Sequence, residues 1–372
     1  MPQLTVELEA SVLQGSEPPV NDHQQESAPQ EATAAEVARI VGVSRASVSY
    51  ALNGKPGVSA PVRARILHVA QELGIPIPTQ ATTETTTTPL IGVVLADLRN
   101  PYYHELGVVI SREARSHGFD SYLAHTGDEP AELLTTVRAM ANHNVDGIIL
   151  TATQDGDATV VQELHQSGLP YVQVSRKIPT VRAPFVGIDN RSAARDMVLH
   201  LVDHGYRDIA LVMGPRRSSA SNERYSGYLD GLVENGIFVP RHWIVRTTLG
   251  TDGGLRAAEY LLTCGASLPE VVVCGSDAIA FGVIQYFADH GIRVPRDVAI
   301  TGFDGLNLVG SVSTQLTTVV QPLEEMAQKA VEYVADLLNN KRSPVRDVIC
   351  HYHLRIGTSC RCTPGKEKLS VK

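Results

Sequence analysis

The stretch "VGVSRASVSYALNGKPGVS", from Val41 to Ser59, decides the architecture of the N-terminal part of this chain. Gly42 ends one helical pattern, and Ser44 begins the next because a Ser side chain accepts a hydrogen bond from the first turn of a helix. Val48 and Leu52 recur at helical spacing, and the Asn-Gly pair after them ends the helix. The spacing predicts two short helices joined by a tight turn.

The helical pattern continues on both sides of this stretch. Thr33 is placed to cap the first helix with Glu36 at the spacing of a capping box, and Ser59 with Pro61 begins a third helix. Residues 31–74 are therefore predicted to form a small all-α domain. A helix-turn-helix of this kind presents the N-terminal residues of its second helix to the DNA major groove. A plain helical hairpin has the same periodicity, so periodicity alone leaves both interpretations open.

The formal net charge of -8 does not exclude a nucleic acid partner, because the charge is unevenly distributed. Residues 1–30 contain five acidic residues and no Lys or Arg, which predicts a disordered acidic tail. Residues 31–80 contain five basic and three acidic residues, so the helical domain is locally basic.

A Thr- and Pro-rich linker at 75–89 leads into a block at 90–359 that alternates β-branched runs with amphipathic helical patterns. This alternation predicts α/β subdomains, two doubly wound parallel sheets with a cleft between them, followed by a C-terminal tail at 360–372. Ligands bind at the carboxyl ends of such strands. The predicted strands are 90–96, 146–151, 171–175, 209–213, 271–275 and 298–303, and the predicted helices include 101–117, 131–143, 190–204, 222–235 and 277–290.

Several classes of protein are disfavoured by what the sequence lacks. It has no apolar run of about 18 residues and no secretory signal, which predicts a cytoplasmic protein without a membrane partner. P-loop, dinucleotide-binding, nucleophile-elbow and HExxH motifs are missing, so we expect neither an enzyme nor a cofactor. A pure binding protein of the periplasmic type would suit the large block but not the helical domain.

A metal site is an alternative use of the C-terminal residues. "CHYH" at 350–353 and "CRC" at 360–362 place five potential zinc ligands within thirteen residues. If residues 348–356 form a strand, Cys350 points to one face and His351 and His353 to the other, which leaves Cys360 and Cys362 loose. Strand alternation favours the second interpretation, and the sequence predicts no metal.

The sequence motifs of this chain indicate a protein family, which the periodicity alone does not. "TAAEVARIVGVSRASVSYALNGKPGVSAPVRARILHVAQELG" (33–74) resembles the DNA-binding domain of the LacI/GalR family of bacterial transcription regulators. The resemblance continues through "IGVVLADLRNPYY" (91–103), "ERYSGY" (223–228), "GSDAIAFGVIQYFADHGIRVPRDVAITGFDG" (275–305) and "LTTVVQP" (316–322), and it covers residues 33 to about 359. It implies a helix-turn-helix domain on a sensor similar to periplasmic sugar-binding proteins.

The resemblance implies specific DNA contacts. Arg45 and Ala46 occupy the two operator-specifying positions, and an arginine there can pair with guanine. Tyr50 stands where the family usually has Arg, which removes one charge and predicts a shallower salt dependence. The linker lacks the family's leucine that wedges into the minor groove, so we expect DNA binding without that wedge. The implied DNA-binding residues are Thr33, Ser44, Arg45, Ala46, Ser49, Tyr50 and Asn53.

The resemblance also implies a sensor cleft for a small polar ligand, expected to be a sugar or sugar derivative. Arg and Asp side chains bond adjacent hydroxyls, and Tyr rings stack on sugar faces. Ser276 stands where the family usually has Asn, and Leu249 stands where some members have an aromatic residue that stacks on the ligand. The implied ligand-binding residues are Asp97, Asn100, Tyr102, Tyr103, Ser175, Arg176, Asp189, Asn222, Arg224, Ser276, Asp277, Asp304 and Gln321.

These features together predict a homodimeric, allosteric repressor that binds a pseudo-palindromic double-stranded DNA operator and responds to a carbohydrate-like effector. The alternative is a ligand-binding sensor in which DNA binding has been weakened or lost. No leucine heptad follows residue 340, which favours a dimer over a tetramer.

Overall fold

The computed structural model describes residues 33–53, 55, 57–75, 88–129, 131–265, 267–306, 315–339, 341, 344–362 and 368–369. The predicted acidic tail and most of the predicted linker lie outside these residues. The chain divides into two compact units, 1–87 and 88–372. Within the described part of the chain, no helix is long and apolar enough to cross a membrane.

The described residues of the first unit form three helices: α1 (Ala34–Val41), α2 (Arg45–Leu52) and α3 (Ala60–Glu72). Gly42 ends α1 with a φ of 76°, a left-handed conformation that favours glycine. Its small core consists of Val37, Ala38, Val48, Ala51, Ile66, Val69 and Ala70. The three predicted helices are confirmed.

One capping prediction in this unit is wrong. Thr33 occupies the N-cap position of α1, but its side chain makes no capping hydrogen bond. Its backbone carbonyl instead accepts from the Glu36 N–H at 2.8 Å. Ser44 does cap α2 as predicted, since its hydroxyl oxygen accepts from the Ser47 N–H at 3.1 Å.

The second unit contains two α/β subdomains. The sheet of the first subdomain is parallel throughout, with the strand order β11-β5-β4-β3-β1-β2. Its strands are short and apolar because helices cover them. The elements of this subdomain are β1 (Leu90–Leu95), α4 (Pro101–Ser116), β2 (Asp120–His125), α5 (Glu132–Asn142), β3 (Gly147–Leu150), α6 (Ala158–Ser167), β4 (Tyr171–Val174), β5 (Phe185–Ile188), α11 (Leu323–Leu338) and β11 (Asp347–Cys350).

The sheet of the second subdomain has the order β13-β12-β10-β9-β8-β6-β7, and β12 pairs antiparallel with both of its neighbours. The other pairings in this sheet are parallel. The elements of this subdomain are α7 (Asn190–Asp203), β6 (Ile209–Met213), α8 (Ser219–Glu234), β7 (Ile244–Arg246), α9 (Thr251–Thr263), β8 (Val271–Cys274), α10 (Asp277–Asp289), β9 (Ala299–Asp304), β10 (Thr317–Val320), β12 (His353–Arg355) and β13 (Lys368–Leu369).

The chain crosses between the two sheets at three places: between β5 and α7, between β10 and α11, and between β11 and β12. Each crossing is only one or two residues long, which keeps the two subdomains adjacent. The predicted architecture of two parallel-sheet subdomains is confirmed. The residues predicted as a C-terminal tail do not all behave as one, because Cys360 and Cys362 are buried and β13 pairs with β12.

Helices α7 and α8 pack with unusually close backbones at Gly227, the glycine of the "ERYSGY" motif. A Cβ atom built at Gly227 would lie 2.0 Å from the Arg191 carbonyl oxygen and 3.0 Å from the Ala194 Cβ. The obstructing oxygen belongs to the backbone of α7, so it cannot rotate away. This glycine therefore sets the separation of the two helices.

We expect Gly227→Ala to lower the free energy of unfolding by about 3 kcal/mol, because overpacking against backbone forces the helices apart. Chemical denaturation monitored by circular dichroism measures this loss. The matched control is Ser226→Ala, whose hydroxyl bonds only to the Asn222 carbonyl of its own helix, and its effect should stay within about 0.5 kcal/mol. Equal effects of the two substitutions would contradict the close-approach argument.

Candidate functional site

Helix α2 presents a continuous exposed surface in the first unit. Val48 and Ala51 are buried in the core, which turns the opposite side of the helix outward. We call this surface the reading face. It consists of Arg45, Ala46, Ser49, Tyr50 and Asn53, all of them exposed.

The C-terminal half of the reading face is held in place by local contacts. The Asn53 side-chain amide donates to the Ser49 carbonyl at 2.9 Å. The Tyr50 ring lies beside Gly57, where a Cβ would be 3.4 Å from the Tyr50 Cδ2 atom, yet Tyr50 remains 45% exposed. Arg63 of α3 donates to the Ala51 carbonyl at 3.4 Å. The side chains of the reading face therefore sit on a fixed backbone.

The second unit contains a cavity of about 430 Å³ between its two subdomains, which we call the cleft cavity. Its walls are loops that follow β1, β2 and β4 of the first sheet and β6 and β7 of the second. Carboxyl ends of parallel strands thus surround it, as the sheet topology predicts. The lining residues are Asp97, Arg99, Asn100, Tyr103, Gly127, Asp128, Glu129, Arg176, Pro215, Arg217, Arg246, Thr247, Thr248, Leu249, Gly250, Asp252 and Arg256.

Arginines dominate the polar lining of the cleft cavity. Arg176 is 1% exposed, and its Nη1 donates to the Asp128 carboxylate at 2.6 Å while its guanidinium lies over the Tyr103 ring. Arg217 donates to the Asp128 carbonyl at 2.6 Å, and Arg246 to the Gly214 carbonyl at 2.9 Å.

The Nε groups of Arg176, Arg217 and Arg246 are buried and have no hydrogen-bond partner among the described residues. A buried N–H without a partner costs about 1–3 kcal/mol, and more when it is charged. Three such donors around one cavity are suited to a ligand rich in oxygen acceptors.

Direct hydrogen bonds join the two subdomains beside this cavity. The Asn100 amide donates to the Leu249 carbonyl at 2.9 Å, and the Lys177 N–H donates to the Ser219 hydroxyl at 3.0 Å. The Asp155 N–H donates to the Arg217 carbonyl at 2.8 Å. The walls of the cleft cavity therefore belong to both subdomains.

Beneath the cleft cavity lies a space of only about 10 Å³, which we call the cavity floor. A space of this size holds about one water molecule. Five residues that the family resemblance nominated for the ligand line this floor and not the cleft cavity. They are Tyr102, Ser175, Arg224, Ser276 and Asp304.

The polar groups of the cavity floor satisfy one another. The Tyr102 hydroxyl lies 3.0 Å from the Ser175 hydroxyl and 3.2 Å from Gln321 Oε1, and the Gln321 amide donates to Asp304 at 2.8 Å. Arg224 donates to the same Asp304 oxygen at 3.3 Å. We call this chain of bonds the floor network. It crosses from one subdomain to the other through Gln321, which lies in the crossing between β10 and α11.

Burial and charge oppose one another at Asp304. Burial raises the pKa of the Asp304 carboxyl well above its usual range, and the nearby Asp277 raises it further, while Arg224 and Gln321 lower the pKa. Arg224 is held by three further contacts: Asn190 Oδ1 at 2.9 Å, the Gly275 carbonyl at 2.7 Å, and the Phe303 ring 3.6 Å from its guanidinium carbon.

Three of the nominated residues have structural roles away from the cavities. Asp277 accepts from the N–H groups of Gly305 and Leu306 at 2.8 and 2.7 Å, so it fixes the loop after β9. Asp189 is exposed and caps α7, accepting from the Ser192 N–H at 2.9 Å. The Asn222 amide donates to the Arg216 carbonyl. Asp277, Asp189, Asn222 and Gln321 line neither the cleft cavity nor the cavity floor, and ligand contact by these four residues stays a prediction.

The nominated residues that do line the cleft cavity are Asp97, Asn100, Tyr103 and Arg176. Sequence reasoning missed Asp128, Arg217 and Arg246. Asp128 follows β2, and Arg246 ends β7, two strands that the sequence analysis did not predict. Only Arg217, which follows the predicted strand at 209–213, had a sequence signal that could have identified it.

A helix-turn-helix unit followed by a two-subdomain unit with a polar cleft fits a DNA-binding regulator with a sensor domain, and the family is established by comparison because a fold alone does not fix a function. Residues 33–75 match the model described as bacterial regulatory proteins, lacI family. Residues 88–356 match the model described as periplasmic binding proteins and sugar binding domain of LacI family. The chain belongs to the LacI family of transcriptional regulators, and it is not an enzyme.

Similar proteins match along most of the chain. The HTH-type transcriptional regulator MalR of Streptomyces coelicolor is 31% identical over 89% of this chain and 97% of its own length. Catabolite control protein A of Priestia megaterium is 32% identical over 82% of this chain and 92% of its own. The solved structure of a transcriptional regulator CelR-cellobiose complex covers 88% of this chain and 99% of its own, with a TM-score of 0.66 at 25% identity.

We expect Arg224→Met to lower the free energy of unfolding by about 3–5 kcal/mol at about pH 8, because Asp304 would remain buried without its cation. The pKa of Asp304 is raised in the folded state. Its ionised form therefore penalises folding at high pH, and the penalty disappears as pH falls through the folded pKa towards the unfolded value. Denaturation at several pH values should show a smaller loss in acid.

The double variant Arg224→Met/Asp304→Asn tests the cause of this loss, because it removes the unpaired carboxylate and should recover most of the stability at high pH. Arg216→Met, at an exposed position of the same region, is the control and should be nearly neutral. A loss that is independent of pH and not recovered in the double variant would rule out the charge argument.

Proposed function

We propose that this regulator is a dimeric repressor whose affinity for a pseudo-palindromic operator is controlled by a small, oxygen-rich ligand in the cleft cavity. The observation that carries the proposal is that one cavity is lined by three arginines, Arg176, Arg217 and Arg246, whose buried Nε groups have no hydrogen-bond partner among the described residues. Residues of both subdomains line the same cavity, so the ligand acts on their relative arrangement.

The reading face supports specific DNA binding. Arg45 is exposed near the start of α2, where a guanidinium can donate to guanine O6 and N7. Ala46 offers a methyl group to thymine. The hydroxyls of Ser49 and Tyr50 and the amide of Asn53 suit phosphates or base edges, and Ser44 and Thr33 lie at helix N-termini, where phosphates bind.

An exposed apolar surface on the first subdomain supports a dimer. Val108 of α4 and Tyr122 and Leu123 of β2 are 53%, 41% and 39% exposed. Leu123 lies beside α4, because a Cβ at Gly107 would be 3.3 Å from Leu123 Cδ2, and Tyr122 lies on the other face of the same strand, with its ring 5.9 Å from that of His143. Strand β2 is the edge of its sheet, and exposed apolar edges require a covering partner. A second copy would provide two-fold symmetry that matches two operator half-sites.

The lining favours a carbohydrate or a carbohydrate acid over an apolar ligand. Arg99, Arg176, Arg217, Arg246 and Arg256 face Asp97, Asp128, Glu129 and Asp252 around the cavity, and such groups bond adjacent hydroxyls in pairs. The similar CelR structure holds cellobiose, so cellobiose is the first ligand to test.

Control of DNA binding follows from linkage. A ligand changes operator affinity only if it binds two arrangements of the protein differently, and the operator then changes ligand affinity by the same factor. The bonds from Asn100 to Leu249 and from Asp155 to Arg217 cross the cleft beside the cavity. They are the contacts whose geometry a ligand would alter.

The DNA proposal is tested by selecting genomic fragments on the purified full-length chain at about physiological salt. We expect enrichment of a pseudo-palindrome, and Arg45→Ala should relax the preference at one base pair of each half-site by about 1–3 kcal/mol. Tyr50→Arg should increase the salt slope by roughly 0.9 per added phosphate contact.

Arg65→Ala provides the control, because Arg65 is exposed on α3 outside the reading face. It should leave the base preference unchanged. A selection that enriches no sequence would contradict the proposal and favour a sensor whose DNA binding has been lost.

The ligand proposal is tested by thermal shift with cellobiose, other neutral mono- and disaccharides, and sugar phosphates. A ligand at 100 times its Kd should stabilise the fold by about 2.7 kcal/mol. Arg217→Gln should weaken that ligand about 10- to 100-fold, because it removes a charged hydrogen bond.

Arg256→Gln is the matched control for Arg217→Gln. Its guanidinium is 57% exposed at the cavity rim and already pairs with Asp252 at 2.9 Å, so its loss should cost much less. A ligand that binds tightly and is indifferent to Arg217 would show that the three arginines are not the recognition groups.

A further inference from the structure

A cluster of histidine and cysteine side chains lies in the second subdomain. His200, in the last turn of α7, is buried, and His204 caps the end of the same helix. The segment after β12 places Cys360 and Cys362 against them, so the two cysteines are not loose, contrary to the sequence-based expectation. We call these four residues the histidine–cysteine cluster.

The side chains of this cluster approach one another at ligand-to-ligand distances. His200 Nε2 is 3.6 Å from Cys360 Sγ and 3.5 Å from Cys362 Sγ. The ligand atoms of His200, His204 and Cys362 all lie within 4.8 Å of one another. A sulfur at about 2.3 Å and a nitrogen at about 2.0 Å from one tetrahedral zinc ion are about 3.5 Å apart, which matches both measured separations.

Backbone and side-chain bonds hold the cysteines in position. The Ser359 hydroxyl donates to the Ile300 carbonyl at 2.6 Å, and the Tyr206 hydroxyl donates to the Cys360 carbonyl at 2.8 Å. Arg361 has a φ of 61°, and its guanidinium donates to the Pro295 carbonyl at 2.7 Å. The two thiols are therefore directed at the histidines by a segment that is anchored at each residue from 359 to 361.

We propose that the histidine–cysteine cluster binds one zinc ion, with His200, His204 and Cys362 as ligands and with Cys360, after a rotation of its side chain, as the fourth. Thiolate and imidazole are the donors that zinc prefers, and a four-ligand site without an open position is structural rather than catalytic. Each coordinating thiol releases its proton to solvent on binding. This ligand set differs from the one weighed in the sequence analysis, since His351 is exposed and lies outside the cluster.

The site would tie the C-terminal segment to α7. Residues 359–362 follow β12 in the chain, and their only covalent connection to α7 runs through more than 150 residues. A zinc ion bound by residues of both segments would add a direct link between residues 359–362 and α7. The proposal is independent of the effector and of DNA, because neither the cleft cavity nor the reading face contains any of these four residues.

The test uses the full chain, stripped with a chelator under reducing conditions, titrated with zinc alone and measured for bound metal after dialysis. We expect one zinc per chain and a rise in melting temperature on binding. Cobalt in place of zinc should give the thiolate-to-metal charge-transfer band and the intense visible bands of a tetrahedral site.

Three variants make the result specific. His204→Ala, at an exposed position, and Cys362→Ser should each weaken zinc more than about 100-fold, since even the loss of a residue that only supports a ligand costs about 10- to 100-fold. Cys264→Ser is the control, because Cys264 is only half-buried and lies outside the cluster, and it should bind zinc normally. The cobalt bands should be lost or weakened in the folded His204→Ala and Cys362→Ser variants and retained in the folded Cys264→Ser variant.

Two results would overturn the proposal. One is the absence of zinc from the reduced, folded wild-type chain at micromolar metal. The other is zinc binding that persists unchanged in both His204→Ala and Cys362→Ser. If Cys360 and Cys362 form a disulfide in air and the chain still binds no zinc after reduction, the proposal is overturned in the same way.

Discussion

The burial of one carboxylate, Asp304, constrains the organisation of the sensor unit. A buried charge is tolerated only where donors surround it, and here the donors are the Gln321 amide and the Arg224 guanidinium. Gln321 lies in a crossing between the subdomains, and Arg224 comes from α8. Satisfying Asp304 therefore fixes a crossing, a helix and a strand end with one set of bonds.

The same constraint explains why the cleft cavity lies beside the floor network and not within it. Tyr102, Gln321, Asp304 and Arg224 use their polar atoms on one another, and only about 10 Å³ remains among them. The three arginines of the cleft cavity each have a buried Nε group without a hydrogen-bond partner among the described residues. Under the proposed function, a ligand in the cleft cavity bonds these arginines and leaves intact the network that holds the crossing.

The sequence predicted several long helices and six buried strands, and it missed the exposed strand β2 and the very short strand β7 for a physical reason. Helices such as α4 and α10 show several turns of 3.6-residue periodicity and were placed within about one or two residues. Strand β2 is largely exposed and β7 is only three residues long, and neither shows an apolar run. Asp128, which follows β2, and Arg246, the last residue of β7, were therefore missed. An Asp after a strand either caps the following helix or contacts a ligand. The local sequence around Asp189 did not show which of these two roles it has.

Helix α7 connects the two buried polar centres of the second subdomain. Its first residue, Asn190, accepts the Nε hydrogen bond of Arg224 at 2.9 Å, and its C-terminal end carries His200 and His204. At 14 residues the helix spans about 21 Å. Because Gly227 locks α7 against α8, the floor network and the histidine–cysteine cluster restrain the same rigid pair of helices. A zinc ion at the C-terminal end of α7 would therefore limit the motion of this helix, which begins at a crossing between the subdomains.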